Sequence, residues 1–119
     1  MENGKELGEI KGFSCNILIR KAIEWIDDNA KDNPIYLQVT FHEPHKPISS
    51  PEDLVDKYMA EGYARDESQY YANVENVDKA VGFLLKALND RGQHNNTLII
   101  FTSDNGPETL NRYDKANRS

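Results

Sequence analysis

The chain has 119 residues, a formal net charge of -6 and a charged fraction of 29%. That acidic balance excludes a general nucleic-acid binder, because the counterion-release term would oppose binding to a polyanion. No apolar run approaches the length needed to span a bilayer, the opening residues Met1-Glu2-Asn3-Gly4-Lys5 carry no signal-peptide core, and a lone cysteine, Cys15, excludes an internal disulfide framework.

Taken in chain order, Ile17 to Ala30 places Leu18, Ala22, Ile23, Ile26 and Ala30 at helical spacing, with Trp25 beside them. Ser14 or Asn16 serves as a candidate cap, and Asn33-Pro34 stops the helix. Ile35 to Phe41 alternates apolar and mixed residues rich in β-branched and aromatic types, which predicts a strand. A loop punctuated by Pro44, Pro47 and Pro51 follows. Pro51-Glu52-Asp53-Leu54 opens a short helix ending near Gly62, with proline at the first helical position.

The strongest helical pattern runs from about Glu67 to Asp90. Tyr70, Val74, Val77, Val81, Leu84, Leu85 and Leu88 form its apolar stripe. Arg91-Gly92 closes it with a basic residue and a glycine able to take the left-handed cap. Thr97 to Ser103 is then a second strand, and its run Leu98-Ile99-Ile100-Phe101 reads as buried on both faces. The order helix, strand, short helix, long helix, strand predicts an α/β fold, with parallel strands and flanking helices in a single unit over residues 1–119.

The polar residues with chemical potential sit where these strands end. Thr102-Ser103-Asp104-Asn105-Gly106 reads either as a plain turn, since Asn-Gly is a common turn pair, or as two hard oxygen ligands for a divalent cation. If the strands are parallel in one sheet, the crossover brings both carboxyl ends to the same edge. His42 and His45 would meet Asp104 and Asn105 there. Within His42-Glu43-Pro44-His45 the proline disfavours a helix, so this is no helical zinc pair. His45 is the candidate general acid, anion donor or metal ligand, while His42 reads as packing or support. Cys15 reads as a small buried or capping residue. Glu75 and Asp78 read as solvated or helix-supporting charges beside Lys79, and His94 and Lys46 as exposed residues. Asn95-Asn96-Thr97 and Asn117-Arg118-Ser119 match a glycosylation sequon that arises often by chance.

Three ordered segments resemble the sulfatase family. Pro34 through Pro47 is similar to its strand-and-histidine segment, Tyr70 to Asp78 through Val81-Gly82 to its long central helix, and Asn96 through Glu108 to its metal-binding strand end. The resemblance covers most of the chain from about Gly12 onward. It implies an alkaline-phosphatase-like α/β sandwich whose members hydrolyse sulfate esters with a formylglycine beside one calcium ion. By position it implies Asp104 and Asn105 as calcium ligands and His45 as the group contacting the sulfate or the leaving oxygen. Carboxylate and amide oxygens suit calcium, whereas a histidine after the aspartate would favour zinc.

The substrate implied is a sulfate-ester small molecule or a sulfated carbohydrate, and export from the cytoplasm is typical of the family. Parts of the family pattern are absent. The formylglycine motif, Cys or Ser followed by x-Pro-x-Arg, fails at Cys15, which has Ile17 in the proline position and Arg20 one place late. The early aspartate pair is missing, and a family lysine beyond the Asp-Asn pair would fall past Ser119, with Lys115 too soon. The chain is therefore expected to be an internal piece of a catalytic domain, inactive by itself and weakly stable. Two alternatives stand beside this reading. One is a phosphatase, phosphodiesterase or phosphonate hydrolase of the same superfamily; the other is a short non-enzymatic binding protein.

Overall fold

The computed structural model describes residues 4–6, 8–30 and 33–105. Gly106, Pro107, Glu108, Lys115 and the sequon at Asn117 lie outside the described residues. Three α-helices make up the frame: α1 (Ser14–Asn29), α2 (Glu52–Ala60) and α3 (Arg65–Asp90), followed by a single 3-10 turn over His94–Asn96.

Local chemistry sets most of these boundaries. The Glu67 carboxylate, three positions into α3, accepts the Ala64 N–H at 3.2 Å and so satisfies one of the donors a helix start leaves open. At the end of α3, Gly92 takes φ +69°. Its N–H bonds the Asn89 carbonyl at 2.9 Å, and Gln93 N–H bonds the Leu88 carbonyl at 2.9 Å. The same pair of closing bonds recurs after α2. Gly62 at φ +99° donates to Met59, and Tyr63 donates to Tyr58. Both are Schellman ends, in which a glycine takes the left-handed position that a side chain would disfavour.

Helices α1 and α3 run parallel. Near the start of α1, Cys15 Sγ accepts a hydrogen bond from Asn76 Nδ2 at 3.2 Å. At the far end, Arg91 Nε and Nη2 grip Asp27 at 2.6 and 2.7 Å, while Arg91 Nη1 donates to the Ala87 carbonyl. Gln93 Nε2 adds a bond to the Ala30 carbonyl at 3.2 Å. Helix α2 packs on the first half of α3, where Leu54, Val55 and Ala72 bury together with Tyr58 beside them. The other core cluster joins Cys15, Ile19 and Ala80, flanked by Phe13, Ile23, Val39, Phe41, Val77 and Leu84.

The face of α3 that does the packing includes Val77, Leu84 and Leu88 of the expected stripe but is shifted toward smaller and polar residues. Ser68, Gln69, Ala72, Asn73, Asn76, Ala80, Ala87 and Leu88 are the buried residues, whereas Val74 is 45% exposed. Small side chains let α1 and α2 approach closely. The buried Asn76 bonds Asn16 and Cys15, and Asn73 Nδ2 bonds the Ser49 carbonyl, while Gln69 Oε1 and Asn73 Oδ1 have no partner among the described residues. Glu75 is also more than a solvated charge. It accepts Lys57 Nζ at 2.8 Å from α2 and Lys79 Nζ at 2.9 Å from its own helix. These two lysines, with the Tyr58 hydroxyl, hold its carboxyl down at about 2.

Neither predicted strand is paired into a sheet. Residues 34–41 run back along α1 from its C-terminal end to its N-terminus, with Ile35, Leu37, Val39 and Phe41 half-buried and Tyr36, Gln38 and Thr40 exposed. That is the two-residue alternation of a strand lying with one face on helices. Residues 97–103 correct the expectation of double burial. Leu98 is 86% exposed, Ile100 77% and Phe101 74%. Burying a run on both faces needs sheet neighbours and covering helices on each side, and two segments with three helices cannot provide both layers.

Candidate active site

The loop after residues 34–41 is held by a long-range helix cap. Helix α1 begins at Ser14 with Phe13 before it, and no local side chain caps it. Glu43 does this from 28 residues away. Its Oε1 accepts the Ser14 hydroxyl at 2.5 Å and the Cys15 N–H at 3.0 Å. A carboxylate at this position also meets the positive end of the helix dipole. Burial pushes the Glu43 carboxyl up, but the bonds from the Ser14 hydroxyl and from the backbone N–H groups of Glu43 and Cys15 outweigh it. The net position is below the ordinary carboxylate value.

This anchor fixes the turn that carries both histidines. His45 N–H closes onto the His42 carbonyl at 3.0 Å, and the peptide bonds before Pro44 and Pro47 are cis. The two imidazoles stand with ring centroids 5.2 Å apart. His45 Nδ1 lies 2.6 Å from the Lys46 carbonyl. A carbonyl can only accept, so Nδ1 carries the proton, and Nε2 is left as acceptor in the neutral ring or as a second donor in the imidazolium. His42 was expected to pack or to support. It is exposed and shares a cleft with His45. Lys46 is half-buried rather than exposed.

The cleft has a volume of about 400 Å³, within the range of small-ligand sites. His42, Glu43 and His45 form one side, and Ser49 and Asn73 belong to its lining. Its floor is pinned to α3: Ser50 Oγ donates to the Gln69 carbonyl at 2.8 Å, and Asn73 Nδ2 donates to the Ser49 carbonyl at 3.1 Å. Glu43 Oε2 and Asn73 Oδ1 are buried and have no hydrogen-bond partner among the described residues. Sequence reasoning missed both residues, although an asparagine on the buried stripe of a helix was a signal that something polar had to meet it.

Asp104 and Asn105 are exposed and do not line this cleft. Among the described residues, no cluster of three or more His, Cys, Asp or Glu side chains could hold a metal. Cys15 is wholly buried, and burial with the neighbouring Glu43 charge pushes its thiol up to about 11. Its role is packing, as its place at the helix start suggested. His94 is exposed on the 3-10 turn, as expected.

A family model described as Sulfatase matches residues 2–119. The chain belongs to the sulfatase family. This sulfatase chain is 37% identical over 117 residues to the uncharacterized sulfatase YdeN of Escherichia coli (strain K12), a match covering 92% of this chain and 20% of that protein. It is 34% identical over 112 residues to the Ulvan-active sulfatase of Formosa agariphila, covering 79% of this chain and 22% of that one. Human Arylsulfatase A is 32% identical over 84 residues, with 71% of this chain and 15% of that protein covered. The chain thus spans about a fifth of the length of these relatives and no solved structure matches it. The family has an α/β fold; the described residues of this sulfatase chain form helices and no strand. No helix among the described residues is long and apolar enough to cross a membrane.

Proposed function

We propose that this chain is part of a catalytic domain that hydrolyses sulfuric esters, with His45 as its contribution to the reaction. The match to the sulfatase family along residues 2–119 carries this reading. The fixed tautomer of His45 supports it. With Nδ1–H committed to the Lys46 carbonyl, Nε2 is the atom free to meet a sulfate oxygen or to protonate the departing alkoxide. The architecture proposed is the alkaline-phosphatase-like sandwich, in which residues 35–41 and 97–103 become parallel strands beneath α1 and α3.

Asp104 and Asn105 are proposed as calcium ligands. Their carboxylate and amide oxygens have the hard donor character calcium takes, and they account for two of the roughly six to eight oxygens it gathers. When bound, the ion supplies positive charge against the sulfate group. Cys15 does not fit as the formylglycine precursor, since it lacks the motif and its thiol is buried. The nucleophile is therefore assigned to no residue of this chain. The substrate class proposed is a sulfate ester of a small alcohol or of a carbohydrate.

Hydrolysis of 4-nitrophenyl sulfate by the full-length protein tests this reading. His45→Ala is expected to lower kcat about 100-fold or more, the usual scale for losing a positioned acid. Asp104→Ala is expected to raise the calcium concentration needed for half-maximal rate. Turnover of phosphate esters with no turnover of any sulfate ester would replace the reading.

A further inference from the structure

We propose that His42 and His45 form a two-imidazole site for a divalent cation of the zinc and copper class, and that such an ion shuts the cleft by occupying His45 Nε2. The binding stands on the geometry of the turn; the block of turnover rests on the sulfatase reading above, which gives that nitrogen to the sulfate ester. The hydrogen bond from His45 N–H to the His42 carbonyl closes a four-residue turn, so the residues at its two ends stand side by side. Both histidines are exposed and both line the cleft of about 400 Å³. Their ring centroids are 5.2 Å apart. A zinc–imidazole bond of about 2.0–2.1 Å puts the ion about 3.2 Å from each ring centre, so two rings at the tetrahedral angle around one ion stand about 5 Å apart. The observed separation matches that span.

The tautomer of His45 is a second, independent observation. A histidine that holds a metal through one nitrogen ordinarily donates its other N–H to a carbonyl or carboxylate, which aims the ring and raises its basicity. His45 Nδ1–H is committed in this way to the Lys46 carbonyl at 2.6 Å, leaving Nε2 as the ligand atom. His42 carries no ring hydrogen bond among the described residues, so its ring can turn toward the ion without breaking one. Glu43 is no third ligand, because its Oε1 holds the start of α1 and its Oε2 is buried. With two protein ligands and water completing the shell, the ion exchanges with solution, unlike the closed four-ligand sites of structural zinc. Imidazole suits zinc, copper and nickel, whereas carboxylate and carbonyl oxygens suit calcium and magnesium. Ligand chemistry thus separates a hard ion at Asp104 and Asn105 from a borderline one at the histidine pair.

Titration calorimetry of the calcium-loaded full-length protein with Zn2+ tests the site. One Zn2+ is expected to bind with an affinity that falls about 10-fold or more in His42→Ala and in His45→Ala. His94→Ala, at the exposed third histidine of the chain, is expected to leave that affinity unchanged. With Cu2+ as the probe, electron paramagnetic resonance should show nitrogen couplings from two imidazoles in the wild type and from one in His42→Ala. Equal Zn2+ affinity in the wild type and His42→Ala would overturn the paired site and leave His45 as an isolated imidazole. In turnover of 4-nitrophenyl sulfate, Zn2+ is expected to inhibit reversibly, and the half-inhibiting concentration is expected to rise about 10-fold or more in His42→Ala. Zn2+ held by both histidines without inhibition would overturn the block at Nε2. If the wild type hydrolyses no sulfate ester, the sulfatase reading itself fails, and calorimetry and resonance decide the ion site by themselves.

Discussion

Residues 35–41 and 98–101 have comparable apolar content and each follows a helix, yet they have opposite fates. The first lies along α1, with Val39 and Phe41 against the cluster of Cys15, Ile19 and Ala80. Its far end is locked by Glu43 onto the start of α1. Among the described residues the second has no such lock, and Leu98 to Phe101 is exposed. The pattern explains the difference. An alternating segment needs one apolar surface, which α1 and α3 provide; a continuous apolar run needs two. Covering one face of a strand takes only helices, while covering both takes a sheet.

Three measurements would break or sharpen that contrast. The largest effect is expected from truncating the docked segment. Phe41→Ala should destabilise the chain by about 2–3 kcal/mol in urea unfolding, allowing for its partial burial. Ile100→Ala should change stability by less than about 0.5 kcal/mol. Equal losses would mean that residues 98–101 are buried in solution after all, by self-association for instance, and the contrast would fail.

Next comes the lock. Glu43→Ala should cost about 1 kcal/mol, the scale of a lost helix cap, and should speed amide exchange at Ser14 and Cys15. An unchanged exchange rate there would detach the docked segment from the helix start. The smallest effect concerns the α2–α3 pair, whose docking depends on charge as well as apolar contact. Glu75 titrates at about 2 in the fold, below its ordinary 4.5. Its contribution is therefore present above pH 4.5 and is lost as pH falls through about 2. Solvent screening keeps it under about 1 kcal/mol. Glu75→Gln should flatten stability across that acid window, and an unaltered acid slope would remove Glu75 from the account.

Helix positions were legible in the sequence where the signal was local. The expected span of 67–90 became Arg65–Asp90, and the glycines at 62 and 92 mark the ends of α2 and α3. The start of α1 was placed too late because its cap comes from Glu43, which no local rule connects to Ser14. The expected stripe on α3 held at Val77, Leu84 and Leu88 and failed at Val74, for a related reason. Periodicity weights large apolar residues, whereas close helix approach selects Ala72, Ala80 and the amides Asn73 and Asn76. At the site, the two prolines marked the turn that carries His45. The contribution of Asn73 depended on the loop that folds over it, which periodicity does not encode.

The clamp between Arg91 and Asp27 has a consequence for phase. It sets the C-terminal ends of α1 and α3 level, so the chain leaves both helices from one starting line. About 15 residues then separate each helix end from its polar turn, His42 to His45 in one case and Asp104 with Asn105 in the other, and extended chain advances by about 3.3 Å per residue. The second path includes the 3-10 turn over His94–Asn96, which advances by only about 2 Å per residue. In the proposed sandwich a single surface ion pair would therefore set where both segments start, and strand pairing would set where the histidine turn and the Asp-Asn turn end.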